Sequence, residues 1–187
     1  QDQKQQRLGT SWHRSSEAEW IAQEAKRILD EKPELSVGVI SFYSGQIQSI
    51  FKAMEDPQVR LTVGNKIAEN YRIISTGKNI GDERLRIGTV DAFQGKEFDV
   101  VFVSLVRTLP KDFSVEELDD INKDEALTRA YGFLRVDNRL NVALSRQRSL
   151  LIVTGDHELV VHPATQEAVP ALPAFLKLCG GQHGKIF

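Results

Sequence analysis

The chain has 187 residues, 41% of them hydrophobic and 27% charged, and its 24 Lys and Arg against 26 Asp and Glu give a net charge of −2. These values are typical of one globular domain and exclude disordered, collagen-like and coiled-coil chains. A single cysteine, Cys179, excludes an internal disulfide and favours a reducing, cytoplasmic compartment. No apolar run approaches the roughly 20 residues that span a membrane, so we expect no membrane partner. A near-zero charge does not exclude nucleic-acid binding, which needs a basic face rather than a basic average.

Hydrophobic periodicity divides the chain into helices and strands. Trp20 is expected on the inward face of the first helix, with Ser15 or Ser16 as its cap. The predicted elements, in chain order, are a helix over 15–32, a strand at 37–42, a helix over 45–55, a strand at 59–63, a helix over 65–74, strands at 85–90 and 99–106, a helix over 137–147, a strand at 149–155 and a helix over 171–179.

The domain organisation follows from these elements. Residues 1–14 are polar and without periodicity, which predicts a loose tail or linker, and 15–187 form a single domain. A polar, acidic insertion is expected at about 107–134. Apolar strands that alternate with helices indicate an α/β fold, a parallel sheet with helices on both faces.

The first segment with chemical potential is TVDAFQGKEFDVVFVSLVRT, residues 89–108. Polar residues, among them Gln94 and Glu97, follow the strand that ends near Thr89, and Gly95 lets a ligand approach the backbone closely. Ligands of open α/β sheets bind at the carboxyl ends of strands. The segment is therefore either a ligand-binding loop or an ordinary charged connection.

The second segment is RVDNRLNVALSRQRSLLIVTGD, residues 135–156. Arg146 falls at the end of the helix predicted there, next to a core strand, and its planar guanidinium matches the oxygens of a phosphate. The alternative is that a cation at a helix C-terminus only complements the helix dipole.

The third segment is VGVISFYSGQIQSI, residues 37–50, a strand followed by a turn and a helix. Amides at the start of that helix could receive a phosphate. Tyr43 could stack on a base and Gln46 could hydrogen-bond a nucleotide. Alternatively, Tyr43 packs at the edge of the sheet.

Together, the three segments resemble the C-terminal RecA-like (2A) motor domain of superfamily 1B helicases, the group that includes the nonsense-mediated decay RNA helicase and related DNA helicases. VGVISFYSGQ resembles motif IV, TVDAFQGKEFDVVFVSLVR motif V, RLNVALSRQR motif VI, and SSEAEWIAQEAKRIL the EA-rich helix that opens this domain. The resemblance covers about residues 11–157. Phe42 stands where the family usually has proline. This chain has ALSRQR where the family more commonly has ALTRAR; Ser145 keeps the hydroxyl of the usual threonine, and Arg146 stays in register.

The resemblance implies a nucleotide site. Arg146 would be the catalytic residue, an arginine finger to the γ-phosphate of ATP, and also a nucleotide-binding residue. Glu97 would contact the ribose or help to close the site. Gln94 and Gly95, also on the nucleotide side, would couple it to the nucleic acid.

The resemblance also implies a track for single-stranded DNA or RNA. Thr89 and Val90 would touch the nucleic-acid backbone, and Tyr43 and Gln46 would complete this set. Backbone-tracking proteins use contacts that are largely indifferent to base sequence, so these residues would suit single-stranded DNA or RNA alike.

The sequence contains no phosphate loop, G-x-x-x-x-G-K-[ST], and no acidic Mg²⁺ site. The resemblance therefore implies a P-loop NTPase-type fold without its own phosphate loop. ATP with Mg²⁺ would be held mainly by an N-terminal RecA-like domain of the same polypeptide that is absent from this chain. We expect the isolated chain to be inactive. The four histidines lack the spacing of metal ligands, so no metal site is predicted.

Two functions stay open. The chain is either the second motor domain of an ATP-dependent helicase or translocase, or a non-catalytic helicase-like module that binds nucleic acid or a protein partner. The charge distribution permits either. Residues 112–125 hold seven acids against one lysine, whereas residues 135–148 hold four arginines against one aspartate.

Overall fold

The computed structural model describes residues 4–187, apart from the side chain of Asp137. The chain forms two compact units. The first runs up to Val106 and takes in Asn141–Gly155, and the second comprises Arg107–Leu140 and Asp156–Phe187. The predicted single domain over 15–187 stays a prediction. No helix within the described part of the chain is both long enough and apolar enough to cross a membrane.

A four-stranded parallel sheet organises the first unit. Its strands are β3 (Val37–Ser41), β6 (Leu85–Thr89), β7 (Phe98–Ser104) and β8 (Gln147–Thr154), and each was predicted to within two residues. They lie in the order β6-β3-β7-β8 and are flanked by helices. This arrangement confirms the predicted α/β class and is consistent with a RecA-like domain.

Two helices, α1 (Ser15–Glu31) and α2 (Ser44–Met54), pack on one face of this sheet. Alternating strand residues such as Val37 and Val39 meet their apolar stripes, and this burial is the main source of the unit's stability. Two details differ from expectation. Trp20 is 41% exposed and meets Phe102 only edge-on, and the cap position of α1 falls on Arg14, whose side chain makes no capping hydrogen bond.

Two short hairpins differ from the predictions for their segments. Strands β1 (Gln6–Leu8) and β2 (Ser11–His13) pair where a loose tail was expected; the first three residues of that tail lie outside the described chain. Strand β4 (Thr62–Val63) lies within the strand predicted at 59–63, but it pairs with β5 (Lys66–Ile67), which forms where a helix over 65–74 was expected. Gly64 and Asn65 both have positive φ, the geometry of a two-residue hairpin turn, and this turn chemistry overrides the helical spacing.

The second unit is helical, and the acidic insertion expected at 107–134 contains α3 (Asp120–Tyr131). Within this unit, the buried hydroxyls of Tyr131 and Thr165 lie 2.8 Å apart, and the Arg107 guanidinium donates to the last carbonyls of α3. The division of the chain between the two units falls within α4 (Asp137–Ala143), which precedes β8. The helices after β8 are α5 (His157–Val161), α6 (Pro163–Ala168) and α7 (Ala171–Cys179), the last as predicted.

Candidate nucleotide and nucleic-acid site

Four hydroxyl side chains mark the carboxyl edge of the sheet. Ser41 pairs in register with Thr89 on one side and Ser104 on the other, and Ser104 pairs with Thr154. The four neighbouring strands therefore end level with one another, and each ends in a group that can donate or accept a hydrogen bond. This is the edge at which an open α/β sheet ordinarily binds its ligands.

The four residues predicted to contact nucleic acid all lie at this edge, but only Thr89 keeps exposed surface. Val90, the first residue of a short 3-10 helix (Val90–Phe93), is 3% exposed. Tyr43 is 4% exposed and Gln46 is completely buried. The packing alternative for Tyr43 therefore describes its position in this structure.

The Gln46 amide is fully used inside the protein. Its Oε1 accepts the backbone N–H of Arg14 at 2.8 Å, and its Nε2 donates to the Arg14 carbonyl at 3.2 Å and to Ser104 Oγ at 2.9 Å. A direct hydrogen bond from Gln46 to a nucleotide is not available in this conformation, because its side chain neither reaches the surface nor has a donor to spare. Gln46 instead joins α2 to the ends of α1 and β7.

The start of α2 is also occupied. Ser11 Oγ accepts the N–H of Gly45 at 3.0 Å, and a side chain at Gly45 would meet the Trp12 carbonyl oxygen at 3.0 Å. A serine hydroxyl from β2 therefore occupies the second amide of this helix, where a phosphate was considered.

The nucleotide candidates lie at the opposite, amino edge of the sheet. Phe98 donates its backbone N–H to the carbonyl of Arg146 at 3.0 Å and pairs in register with Gln147. Glu97 and Arg146 therefore flank the starts of the adjacent strands β7 and β8, with Glu97 exposed and Arg146 half-buried. The expectation that the polar residues after Thr89 gather at a carboxyl end is wrong for Glu97, because the loop crosses from one edge to the other.

A buried ring and a hydrogen bond from β6 hold the crossing loop, residues 90–97, in place. Phe93 is buried, and Gly38 lies so close that a Cβ there would be 2.8 Å from the Phe93 ring. Arg86 donates to the Ala92 carbonyl at 3.0 Å. Gln94 and Gly95 are exposed, and Gly95 has a φ of +70°, a conformation that favours glycine. The loop thus presents Gln94 and Gly95 between the two edges.

The Arg146 guanidinium folds onto the turn that follows α4. Its Nε donates to the Val142 carbonyl at 3.1 Å and its Nη2 to Ser145 Oγ at 3.0 Å. Among the described residues no carboxylate lies within 4.0 Å of it. Its charge complements a helix C-terminus, as in the dipole alternative, and it carries further N–H groups that could meet an anion.

A second arginine, Arg148, has a structural partner that the sequence reading missed. Its Nε lies 3.1 Å from Asp99 Oδ1, and its Nη2 donates to Ser36 Oγ at 2.9 Å. Asp99 in turn accepts the N–H and the hydroxyl of Ser36 at 2.8 and 2.7 Å. Burial alone would raise the pKa of the Asp99 carboxyl, but the Ser36 hydrogen bonds and the Arg148 charge outweigh it and lower the pKa. The one available signal was Asp99, a single charged residue within a largely apolar strand.

A buried acid, Glu17, was missed as well. It accepts hydrogen bonds from Ser104 Oγ at 2.6 Å and Thr154 Oγ1 at 3.1 Å, and Arg14 lies 3.3 Å away. Burial raises the pKa of the Glu17 carboxyl, although these hydrogen bonds and the Arg14 charge act in the opposite direction. In the sequence, a glutamate at the start of α1 indicates only an acid that complements the helix dipole. The sequence therefore contains no sign that Glu17 is buried and accepts hydrogen bonds from two strands.

An open groove of about 870 Å³ lies elsewhere, lined by residues such as Ser15, Gln23 and Lys52. None of the predicted site residues lines it. Within residues 4–187 no three His, Cys, Asp or Glu side chains cluster in a way that could hold a metal ion. At the amino edge Arg146 offers N–H donors of the kind that suit a phosphate, and Glu97 offers carboxylate acceptors of the kind that suit a hydroxyl. These groups would suit part of a nucleotide rather than a complete ATP·Mg²⁺ site.

Comparisons with known proteins agree with the sequence motifs. A family model described as an AAA domain matches residues 1–158. The chain is 34% identical over 128 residues, 68% of its length, to the DNA polymerase alpha-associated DNA helicase A of Saccharomyces cerevisiae, covering 13% of that protein.

Two further relatives match a larger share of the chain. The chain is 30% identical over 156 residues to the putative helicase MOV-10 of Gallus gallus, with 78% of the chain and 13% of that protein covered. It is 29% identical over 166 residues to a regulator of nonsense transcripts 1 homolog of Neurospora crassa, with 82% and 12% covered. The chain spans about an eighth of the length of these relatives. From the match over residues 1–158 and these relatives, the chain belongs to the AAA-domain family of superfamily 1 helicases.

Proposed function

We propose that this chain is the second, 2A motor domain of an ATP-dependent helicase or translocase. In this role it supplies an arginine finger and part of the track for a single strand of DNA or RNA. The observation that carries the proposal is the separation of the candidate residues onto two edges of one sheet. Arg146 and Glu97 lie at the amino edge, and Thr89 lies at the carboxyl edge.

At the amino edge, Arg146 would meet the γ-phosphate of an ATP held with Mg²⁺ mainly by a first RecA-like domain. Its hydrogen bonds to Val142 and Ser145 hold the guanidinium at the surface of the turn without a competing carboxylate among the described residues. A finger of this kind stabilises the charge that develops during phosphoryl transfer and is worth about 10³–10⁵ in rate. Glu97, exposed next to the same strand starts, would contact the ribose.

At the carboxyl edge, Thr89 would contact the sugar-phosphate backbone, with the main chain at Val90 beside it. Tyr43 and Gln46 would support this edge from within, because both side chains are buried. Gln94 and Gly95 lie on the loop that joins the two edges. A shift of this loop on nucleotide binding would therefore change the contacts with the bound nucleic acid. Contacts to phosphates and sugars position a strand without reading its sequence.

The test compares the purified chain with the parent protein, the longer polypeptide that under this proposal also contains the first RecA-like domain. ATP hydrolysis is measured for each, alone and with single-stranded DNA or RNA. We expect no significant turnover by the chain and strand-stimulated turnover by the parent. Turnover by the isolated chain that survives Arg146→Ala would refute the division of the site between two domains. A parent without ATPase activity under any condition would favour the non-catalytic module.

A further inference from the structure

One buried carboxylate joins several parts of the carboxyl edge. Glu17 is 6% exposed, and its Oε2 accepts from Ser104 Oγ at 2.6 Å, Thr154 Oγ1 at 3.1 Å and the backbone N–H of Val106 at 3.3 Å. Its Oε1 accepts from Arg14 Nη1 at 3.3 Å. Every one of these partners donates, so the arrangement fits the ionised carboxylate, which only accepts.

Val106 needs such a partner. It is a completely buried, β-branched residue with a φ of +69°, a conformation that side chains of this kind rarely adopt. A backbone held in a sparsely populated region persists only where surrounding contacts determine it. The hydrogen bond from the Val106 amide to Glu17 is one of those contacts, and Val106 is the last residue of the first unit before the chain leaves it.

The same carboxylate holds the end of β8. Thr154 donates to Glu17 and accepts, through its carbonyl, the N–H of Leu105 at 3.0 Å. Gly155, which follows, lies against Leu105 so closely that a Cβ would be 2.9 Å from the Leu105 side chain. Glu17 therefore fixes the two neighbouring strand ends from which the chain leaves the first unit.

The network also reaches α2. Ser104 Oγ, which donates to Glu17, accepts from Gln46 Nε2 at 2.9 Å, and Ser41 Oγ donates to the Ser104 carbonyl at 3.1 Å. Ser41 pairs in register with Thr89. A continuous set of hydrogen bonds and strand pairing thus leads from Glu17 to the residue that would contact nucleic acid.

We infer that Glu17 is a positioning residue for the carboxyl edge of the sheet. Glu17 sets the conformation of the backbone at Val106 and, through Ser104, the positions of Gln46 and Thr89. The inference rests on the proposed function for its effect on strand binding, but not for its effect on the backbone at Val106. Glu17 does not touch the strand itself, because its side chain is buried.

The test uses Glu17→Gln, which keeps the shape of the side chain but replaces one accepting oxygen by a donating amide. The matched control is Glu24→Gln on the same helix, whose carboxylate is partly exposed and pairs with Arg27. Hydrogen exchange at the Val106 amide and the affinity for labelled oligothymidylate and oligouridylate are measured. For Glu17→Gln we expect exchange at the Val106 amide to be about tenfold faster, because local opening no longer has to break the bonds to the carboxylate. We expect oligonucleotide binding to be about fivefold weaker, because Ser104 no longer holds Gln46 and Thr89 in position.

The two readouts separate the inference from the function on which it rests. Val106 exchange and strand affinity both within twofold of the wild type would overturn the inference. If the wild-type chain binds neither oligonucleotide, the proposed track fails, and the exchange rate alone decides: faster exchange supports Glu17 as the group that sets the backbone at Val106, and unchanged exchange refutes it. If Glu17→Gln does not fold, Thr154→Val removes one donor to the same carboxylate and should give the same direction of change, with Thr154→Ser restoring the wild-type values.

Discussion

The backbone N–H of Phe98 donates to the carbonyl oxygen of Arg146 at 3.0 Å. This one hydrogen bond joins the loop that contains Glu97 to the turn that contains Arg146, although the two segments lie far apart in the sequence. Glu97 and Arg146 consequently lie at the same edge of the sheet. If both serve one nucleotide, their contributions to its hydrolysis depend on each other.

A double-mutant cycle in the parent protein tests this dependence. We expect Glu97→Ala and Arg146→Ala each to reduce the ATPase rate that single-stranded nucleic acid stimulates. The rate of the double variant should lie within about threefold of the slower single variant, because the effects of residues that act as a unit are not additive. Arg146→Ala combined with Arg72→Ala is the control and should be additive, because Arg72 is an exposed arginine that pairs with Glu69. Multiplicative effects of Glu97 and Arg146 would place them at independent sites.

The Asp99–Arg148 contact predicts a pH-dependent contribution to stability. Because the pKa of Asp99 is lower in the folded than in the unfolded chain, the folded chain binds fewer protons in the window between the two values. Its contribution is present above the unfolded pKa and is lost as the pH falls through the folded pKa. We expect Asp99→Asn to lower the free energy of unfolding by about 1–3 kcal/mol at neutral pH.

The measurement is denaturant unfolding of both proteins as the solution is acidified. The difference between wild type and Asp99→Asn should shrink below a pH of about 4, where the unfolded carboxyl becomes protonated. The exposed Asp82→Asn serves as the control and should track the wild type. A difference that is the same at every pH would show that the carboxylate charge contributes nothing.

The contact between Gly38 and Phe93 predicts a packing defect. An alanine Cβ at Gly38 would lie 2.8 Å from Phe93 Cε1 and 3.1 Å from Phe98 Cδ2, so one of the two rings would have to move. We expect Gly38→Ala to lower the free energy of unfolding by about 1–3 kcal/mol, as overpacked cores do. Phe93→Leu added to this variant should recover part of the loss.

Thermal or denaturant unfolding checks this prediction, with Gly180→Ala as the control, because its nearest neighbour would be an ordinary 3.7 Å away. Equal stability of Gly38→Ala and the wild type would mean that the Phe93 ring has room to move. The crossing loop would then be less firmly anchored than its contacts indicate.

The parallel sheet could be predicted because its strands are short apolar runs bounded by turn residues, such as 85–90 and 99–106. The helix over 65–74 could not be excluded, because the Gly64–Asn65 turn competes with a helical spacing that looks acceptable on its own. Strands of two or three residues, as in the two hairpins, are too short to show a period of two.

The arrangement of the predicted site residues could not be read from the sequence, and their roles stay predictions. That the loop after Thr89 crosses to the amino edge depends on Phe98 pairing with β8, a contact between distant segments. The burial of Gln46 depends on Arg14 and Ser104, which lie 32 and 58 residues away in sequence. Periodicity describes the local chain and carries no information about such partners.

The measurement that tests the central claim most directly is the strand-stimulated ATPase rate of the parent protein with Arg146→Ala, compared with Arg72→Ala. If Arg146 is the arginine finger, its loss should lower the rate by about 10³–10⁵, with the affinity for the strand unchanged and little rescue by Arg146→Lys, which lacks the planar fork. A stimulated rate for Arg146→Ala within a few-fold of the Arg72→Ala control would contradict the finger and, with it, the proposed role of the amino edge.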